Sequence, residues 1–126
     1  MITYKLNTET GILETSIKGE VTIGDFINYI ISLSRDKTLP KKLKIFSDAT
    51  EGRFSGNTTP DDLIEIVEAN NLSLAQRDFI CDAFILSSSL ETAMGQLYMK
   101  FSKADNYRFK VFSDKKAALK WLNSFS

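Results

Sequence analysis

The sequence contains no histidine and a single cysteine, Cys81. The first absence removes Ser-His-Asp and Cys-His catalysis and every metal site built on imidazole. Carboxylates, Lys and Tyr are left as general acids or bases. With one thiol and no imidazole, a zinc site is not expected. The lone cysteine allows no intramolecular disulfide, which points to a reducing compartment. Charge of one sign is also missing, since 16 basic and 16 acidic residues cancel. A nucleic-acid binder usually shows a basic excess or stripe, and the nearest feature here, Lys41, Lys42 and Lys44, reads as a solvated lead-in to a strand. The densest apolar run, Phe26 to Leu33, is interrupted by Asn28 and Ser32 and is too short to span a bilayer. The opening MITYKLNTET has no apolar core of signal-peptide length. The expectation is a cytoplasmic protein with no cofactor, no metal, no nucleic-acid partner and no membrane insertion.

What is present is ordinary globular material. The 126 residues suit a single domain, 1–126, with 43% hydrophobic and 25% charged residues. A chain of this length buries roughly two-thirds of its unfolded surface and needs no covalent staple. Ile2 to Leu6 alternates with period two, Asn7 to Gly11 is a turn, and Ile12 to Ile17 resumes the alternation, so these segments pair as an antiparallel hairpin that Gly19 ends. Thr22, with Asp25 three residues on, caps a helix carrying Ile23, Phe26, Ile27 and Ile30 on one face; it stops near Asp36. Leu43 to Ser47 is a short covered strand, and Asp48 to Asn57 reads as a loop. Thr58-Thr59-Pro60-Asp61-Asp62 opens a second helix, which Asn70-Asn71 breaks or ends. Cys81 to Leu86 is a strand, and Ser88 with Glu91 is spaced as a capping box. The third helix presents Leu90, Ala93, Met94, Leu97, Tyr98 and Phe101, with Gly95 placed for close packing. Tyr107 to Phe112 is the last strand, and Ser113 caps a helix burying Ala118, Trp121, Leu122 and Phe125. The order predicts an α/β fold: a mixed, mostly parallel five-stranded sheet with an N-terminal antiparallel hairpin strand and four helices.

Three stretches carry a likeness to a known family: the opening YKLNTETGILETSIKGEVTIGDF, the strand KLKIFSDAT ending in an acid, and the closing YRFKVFSDKKAALKWL. Together they resemble the STAS-like family, the fold of bacterial anti-sigma-factor antagonists, and the ending is similar to an uncharacterised STAS-like subgroup. The resemblance implies a binding platform rather than an active site. Phosphorylated members carry Asp-Ser before a Gly in the loop after this strand. Here Ser55 and Gly56 match and Phe54 stands where the family has Asp, so the resemblance points to Ser55 as the phosphoacceptor position while departing from the motif beside it.

Candidate site residues gather where strands end. With strands stopping at Asp48, Ser87 and Ser113, three loops meet at the carboxyl edge of the sheet, the usual ligand crevice of open α/β folds. Helix starts at Thr59, Ser88 and Ser113 offer N–H groups to an anion, Arg53 adds a charge-assisted contact, and Ser55 and Gly56 lie in the same loop. The plain alternative is that Thr59, Ser88 and Ser113 are caps and nothing more. Asp48 with Glu51 could serve as base or metal ligand, or as ordinary loop acids bonding local amides. Cys81 reads as a buried inert thiol. Tyr98, Met99 and Phe101 give the third helix apolar character on more than one face, as a covered core helix or a self-association surface would, which leaves a homodimer open.

The leading expectation is a non-enzymatic binding or regulatory module engaging a protein partner or a small anionic ligand around Asp48 to Thr59. Two alternatives accompany it. One is a carrier of lipid or another apolar molecule, with which nine phenylalanines are consistent. The other is a small hydrolase or transferase using Asp48, Arg53 and Ser55, which lacks an evident base to activate the serine.

Overall fold

The structure, a computed structural model, describes residues 1–55, 59–86 and 88–125, with backbone alone at 89, 90 and 101. Five strands form one sheet in the sequential order β1-β2-β3-β4-β5. β1 (Ile2–Asn7) pairs antiparallel with β2 (Ile12–Val21), and β3 (Lys42–Phe54), β4 (Phe79–Leu86) and β5 (Tyr107–Phe112) follow in parallel. The helices are α1 (Ile23–Arg35), α2 (Pro60–Leu74), α3 (Ser89–Phe101) and α4 (Lys115–Asn123). The mixed five-stranded α/β sheet with a leading antiparallel strand and four helices is the expected fold.

Sequential order decides where the helices go. Each crossover between neighbouring parallel strands has the same hand and steps in the same direction, so α1, α2 and α3 land on one face. Inward residues of β2 to β5, among them Leu13, Leu43, Ile45, Ile80 and Tyr107, pack there against Tyr29, Ile30 and Leu33 of α1, Leu63 and Ile66 of α2 and Tyr98 of α3. The other face carries α4 alone: Ala118 and Leu122 cover Ile12, Phe46, Cys81, Ala83 and Ile85. Strand alternation sends successive side chains to the two faces, which is why Cys81 and Asp82 point into different cores.

Several boundaries differ from the expectation. β2 does not stop at Gly19, which sits inside the strand at φ +73°, and the chain pairs on to Val21. β3 does not end at Ser47 or Asp48. It runs to Phe54, so residues 48–54 are strand rather than loop. The extended β2 supplies partners as far as Val21↔Phe54. The segment reads as loop because its outward positions, Thr50, Glu51 and Arg53, are exposed and polar. α2 passes through Asn70 and Asn71 to Leu74, because its buried side continues through Asn70, Ser73 and Leu74, two of them polar. The last helix is capped by Asp114, not Ser113: the Asp114 carboxylate accepts the Ala117 N–H at 2.8 Å. An Asp at the N-cap also favours the positive end of the helix dipole.

Two local devices hold the layer of α1 to α3 in place. Arg77, 8% exposed, donates from its guanidinium to the carbonyls of Leu33, Asp36, Leu39 and Pro40 at 2.7 to 3.3 Å, satisfying carbonyls that the end of α1 leaves free. Gly95 lets α3 approach the sheet, where a β-carbon would lie 2.9 Å from Val111 Cγ2 and 3.2 Å from Leu86 Cδ1. The close packing expected at this glycine is present.

Candidate functional site

The geometry of the carboxyl edge turns on one extra residue in β3. Register runs from Ser16↔Asp48 to Lys18↔Glu51, three steps along β3 for two along β2. Such a bulge reverses which residues face inward. Ala49 faces α1 to α3 before it, and Phe54 faces the same side after it. Asp48 stabilises the kink, its Oδ1 accepting the Thr50 N–H at 3.0 Å and the Thr50 hydroxyl at 2.6 Å. Past the bulge Gly52 touches β2 so closely that a β-carbon would sit 2.6 Å from the Ile17 carbonyl oxygen.

With Phe54 turned inward, a cavity of about 310 Å³ lies between the sheet and the three helices, at the lower end of the range typical of small-molecule sites. Ile23 and Phe26 of α1 and Leu63 and Ile66 of α2 form one side. Phe54, Phe84, Leu86 and Phe109 of the sheet form its floor, and Met94, Gly95 and Tyr98 of α3 close the other side. The aromatic rings are continuous: Phe54 to Phe26 at 5.7 Å, Phe26 to Phe84 at 6.1 Å, Phe84 to Phe109 at 5.6 Å and Phe109 to Tyr98 at 4.9 Å between centroids. Among the described residues, Ser88 and Glu91 at the start of α3 are the lining residues with polar side chains besides the tyrosine. Ser88 is exposed, which places the rim at the carboxyl edge.

Beside the floor, on the same inward face of β4 as Phe84, lies a polar group that the sequence did not single out. Asp82 is 7% exposed and accepts a hydrogen bond from the Ser47 hydroxyl at 2.9 Å. Burial pushes its carboxyl up to about 7, opposed only in part by the Ser47 bond. The Thr15 and Tyr29 hydroxyls are 2.7 Å apart and those of Tyr98 and Tyr107 3.1 Å apart. Burial lifts all three tyrosines, Tyr98 to about 12, and the carboxylate of Asp82 adds to each. These hydroxyls are donors to one another, not acids at neutral pH.

Of the described residues expected to form a site, Ser88 alone is among those lining the cavity. Ser88 lines the cavity and caps α3, its Oγ accepting the Glu91 N–H at 3.2 Å. Thr59 caps α2 in a reciprocal box with Asp62. Ser55 follows β3, its N–H donating to the Val21 carbonyl at 2.9 Å. Arg53 is exposed and, one residue from the inward Phe54, faces away from the cavity. Asp48 shares the α4 face with Phe46 by alternation, and Glu51 pairs with Lys18 at 3.5 Å on the surface. Gly56 lies outside the described residues, as do Asn57, Thr58 and Ser87. Cys81 is fully buried and its thiol is pushed up to about 12, chiefly by burial, in keeping with an inert thiol. Among the described residues no three acidic or cysteine side chains converge as a metal site, and no helix is long and apolar enough to cross a membrane.

Comparison with known proteins gives fold and little else. Residues 71–126 match a family described as a domain of unknown function, DUF7793. No curated protein matches the chain. Among solved structures, a similar one is an uncharacterised protein of the DUF3478 family from Shewanella loihica PV-4, described as having a SpoIIAA-like fold. It is 17% identical, with a TM-score of 0.61 over 97% of this chain and 92% of the other. The chain thus has the SpoIIAA-like, STAS-like architecture that its opening, third strand and ending resemble.

Proposed function

We propose that this protein is a non-enzymatic binding module and that its ligand is a small, predominantly apolar molecule held in the cavity between the sheet and α1 to α3. Of the readings open at the level of sequence, this is the carrier alternative. The observation that carries it is the lining: four phenylalanines and six further apolar or small residues around about 310 Å³, with Ser88 and Glu91 the polar rim among the described residues. Burying an apolar ligand against such walls is favourable at roughly 25 cal/mol per Å² removed from water.

The same geometry weakens the reading of a small anion at the helix starts. The first turns of α2 and α3 already hold Asp61, Asp62 and Glu91, and these carboxylates repel an incoming anion. Arg53 is turned to the other face. The enzyme reading with Asp48, Arg53 and Ser55 gains nothing either, since Asp48 is engaged by Thr50 within the bulge and Ser55 has no base among its described partners. A protein partner remains the second occupant to consider, because Ile64 and Leu72 are exposed, at 44% and 66%, on α2.

The test uses N-phenyl-1-naphthylamine, an uncharged probe whose fluorescence rises in apolar surroundings. Saturable binding to the wild-type protein is expected. Met94→Trp, which fills the cavity from α3, should weaken it at least ten-fold while leaving the circular-dichroism spectrum unchanged. Absence of saturable binding, or equal binding by a folded Met94→Trp variant, contradicts the proposal.

A further inference from the structure

Asp82 and the cavity share a wall. Phe84, two residues along on the same inward face of β4, lines the cavity. Phe109, which also lines it, is the residue paired with Asp82 on β5, and Tyr98, a third lining residue, packs on Phe109 with ring centroids 4.9 Å apart. Among the described residues, the surrounding elements turn no cation toward the carboxyl group. α1 brings Tyr29, α3 brings Tyr98, β5 brings Tyr107, and β3 brings the Ser47 hydroxyl. The residues α2 buries are Leu63, Ile66, Ala69, Asn70, Ser73 and Leu74, none of them ionisable. Lys44 and Arg108 flank Cys81 on the opposite face of the sheet. None of the described residues near Asp82 neutralises its charge, and a carboxylate formed there must draw on water. The cavity behind Phe84 and Phe109 is the neighbouring space.

We propose that occupation of the cavity is linked to the protonation of Asp82: the protein holds an apolar ligand while this carboxyl is neutral and loosens its hold as the carboxyl ionises. This rests on the cavity being the binding site. Asp82 does not itself line the cavity, but an apolar ligand expels water from the room beside Phe84 and Phe109, from which a hydrated carboxylate would draw, and this disfavours the charged form further. Linkage makes the effect reciprocal, so ionisation of Asp82 lowers affinity for the ligand by the same factor. With burial holding the group up to about 7, the change falls between pH 6 and pH 8.5, where no histidine contributes.

The experiment measures the dissociation constant of N-phenyl-1-naphthylamine, uncharged throughout this range, at pH 6.0 and 8.5. The wild-type constant should rise about five-fold or more, and Asp82→Asn, which cannot ionise, should show no such rise. In parallel, ¹³C NMR of the wild-type aspartate carboxyl carbons follows Asp82 directly, and its titration should move to higher pH when the probe is bound. Binding with a flat wild-type pH profile, the same slope in Asp82→Asn, or an Asp82 titration unmoved by the probe overturns the linkage and leaves the cavity as a site. No probe binding at any pH overturns the linkage together with the reading it rests on.

Discussion

Asp82 is the residue whose chemistry is least like its surroundings. Its carboxyl sits in the core with one hydroxyl partner, and its folded value of about 7 exceeds the 3.8 of a free aspartate. Between these values the folded state keeps a proton that the unfolded state has released. The associated stability is fully present below about pH 3.8 and is lost as pH rises through 7. Asp82→Asn preserves an oxygen to accept the Ser47 bond and cannot ionise. At pH 8 it should be more stable than wild type by on the order of a few kcal/mol, with the gap closing at pH 4. Urea unfolding at both pH values measures this, and a wild-type stability that does not fall between pH 4 and pH 8 contradicts it. Such a residue is hard to recognise in the sequence. CDAFIL reads simply as a strand, and an acid is usually exposed. Only the hydrogen bond that the Ser47 hydroxyl on β3 donates to Asp82 on β4 reveals that the acid is accommodated inside.

Among the elements, β3 carries most of the distance between sequence and structure. Its first half is legible because Leu43, Ile45, Phe46 and Ser47 are all buried and only Lys44 interrupts them after the leading Lys41 and Lys42. Its second half is not, since the bulge breaks the period-two alternation and an outward row of polar residues looks like a loop. The helices were more legible. Thr22, Thr59 and Ser88 cap where their spacing places them, because N-capping depends on only three or four neighbouring residues. Gly52 is the element's structural condition. Gly52→Ala pushes a methyl group onto the Ile17 carbonyl, which is backbone and cannot swing aside. The expected cost is about 1–3 kcal/mol, with loss of probe binding as Phe54 moves. Chemical unfolding and the fluorescence titration read the two effects together. Wild-type values in both contradict the role assigned to the bulge.

At the scale of the molecule, sequential strand order puts three helices on one face and one on the other. The cavity lies on the crowded face, with Ser88 at its rim. Order-level reasoning reached the fold. It placed the site on polar residues, whereas the cavity is lined by inward phenylalanines from three strands and a helix that no local pattern groups together. The central claim is that this cavity is where a ligand sits, and the three methionines offer a direct reading of it. Met94 lines the cavity, while Met1 and Met99 are exposed outside it. We would label the methionine methyl groups with ¹³C and titrate the protein with N-phenyl-1-naphthylamine. The account predicts that the Met94 methyl resonance shifts and saturates while those of Met1 and Met99 stay in place; an unmoved Met94 at saturating probe would contradict it.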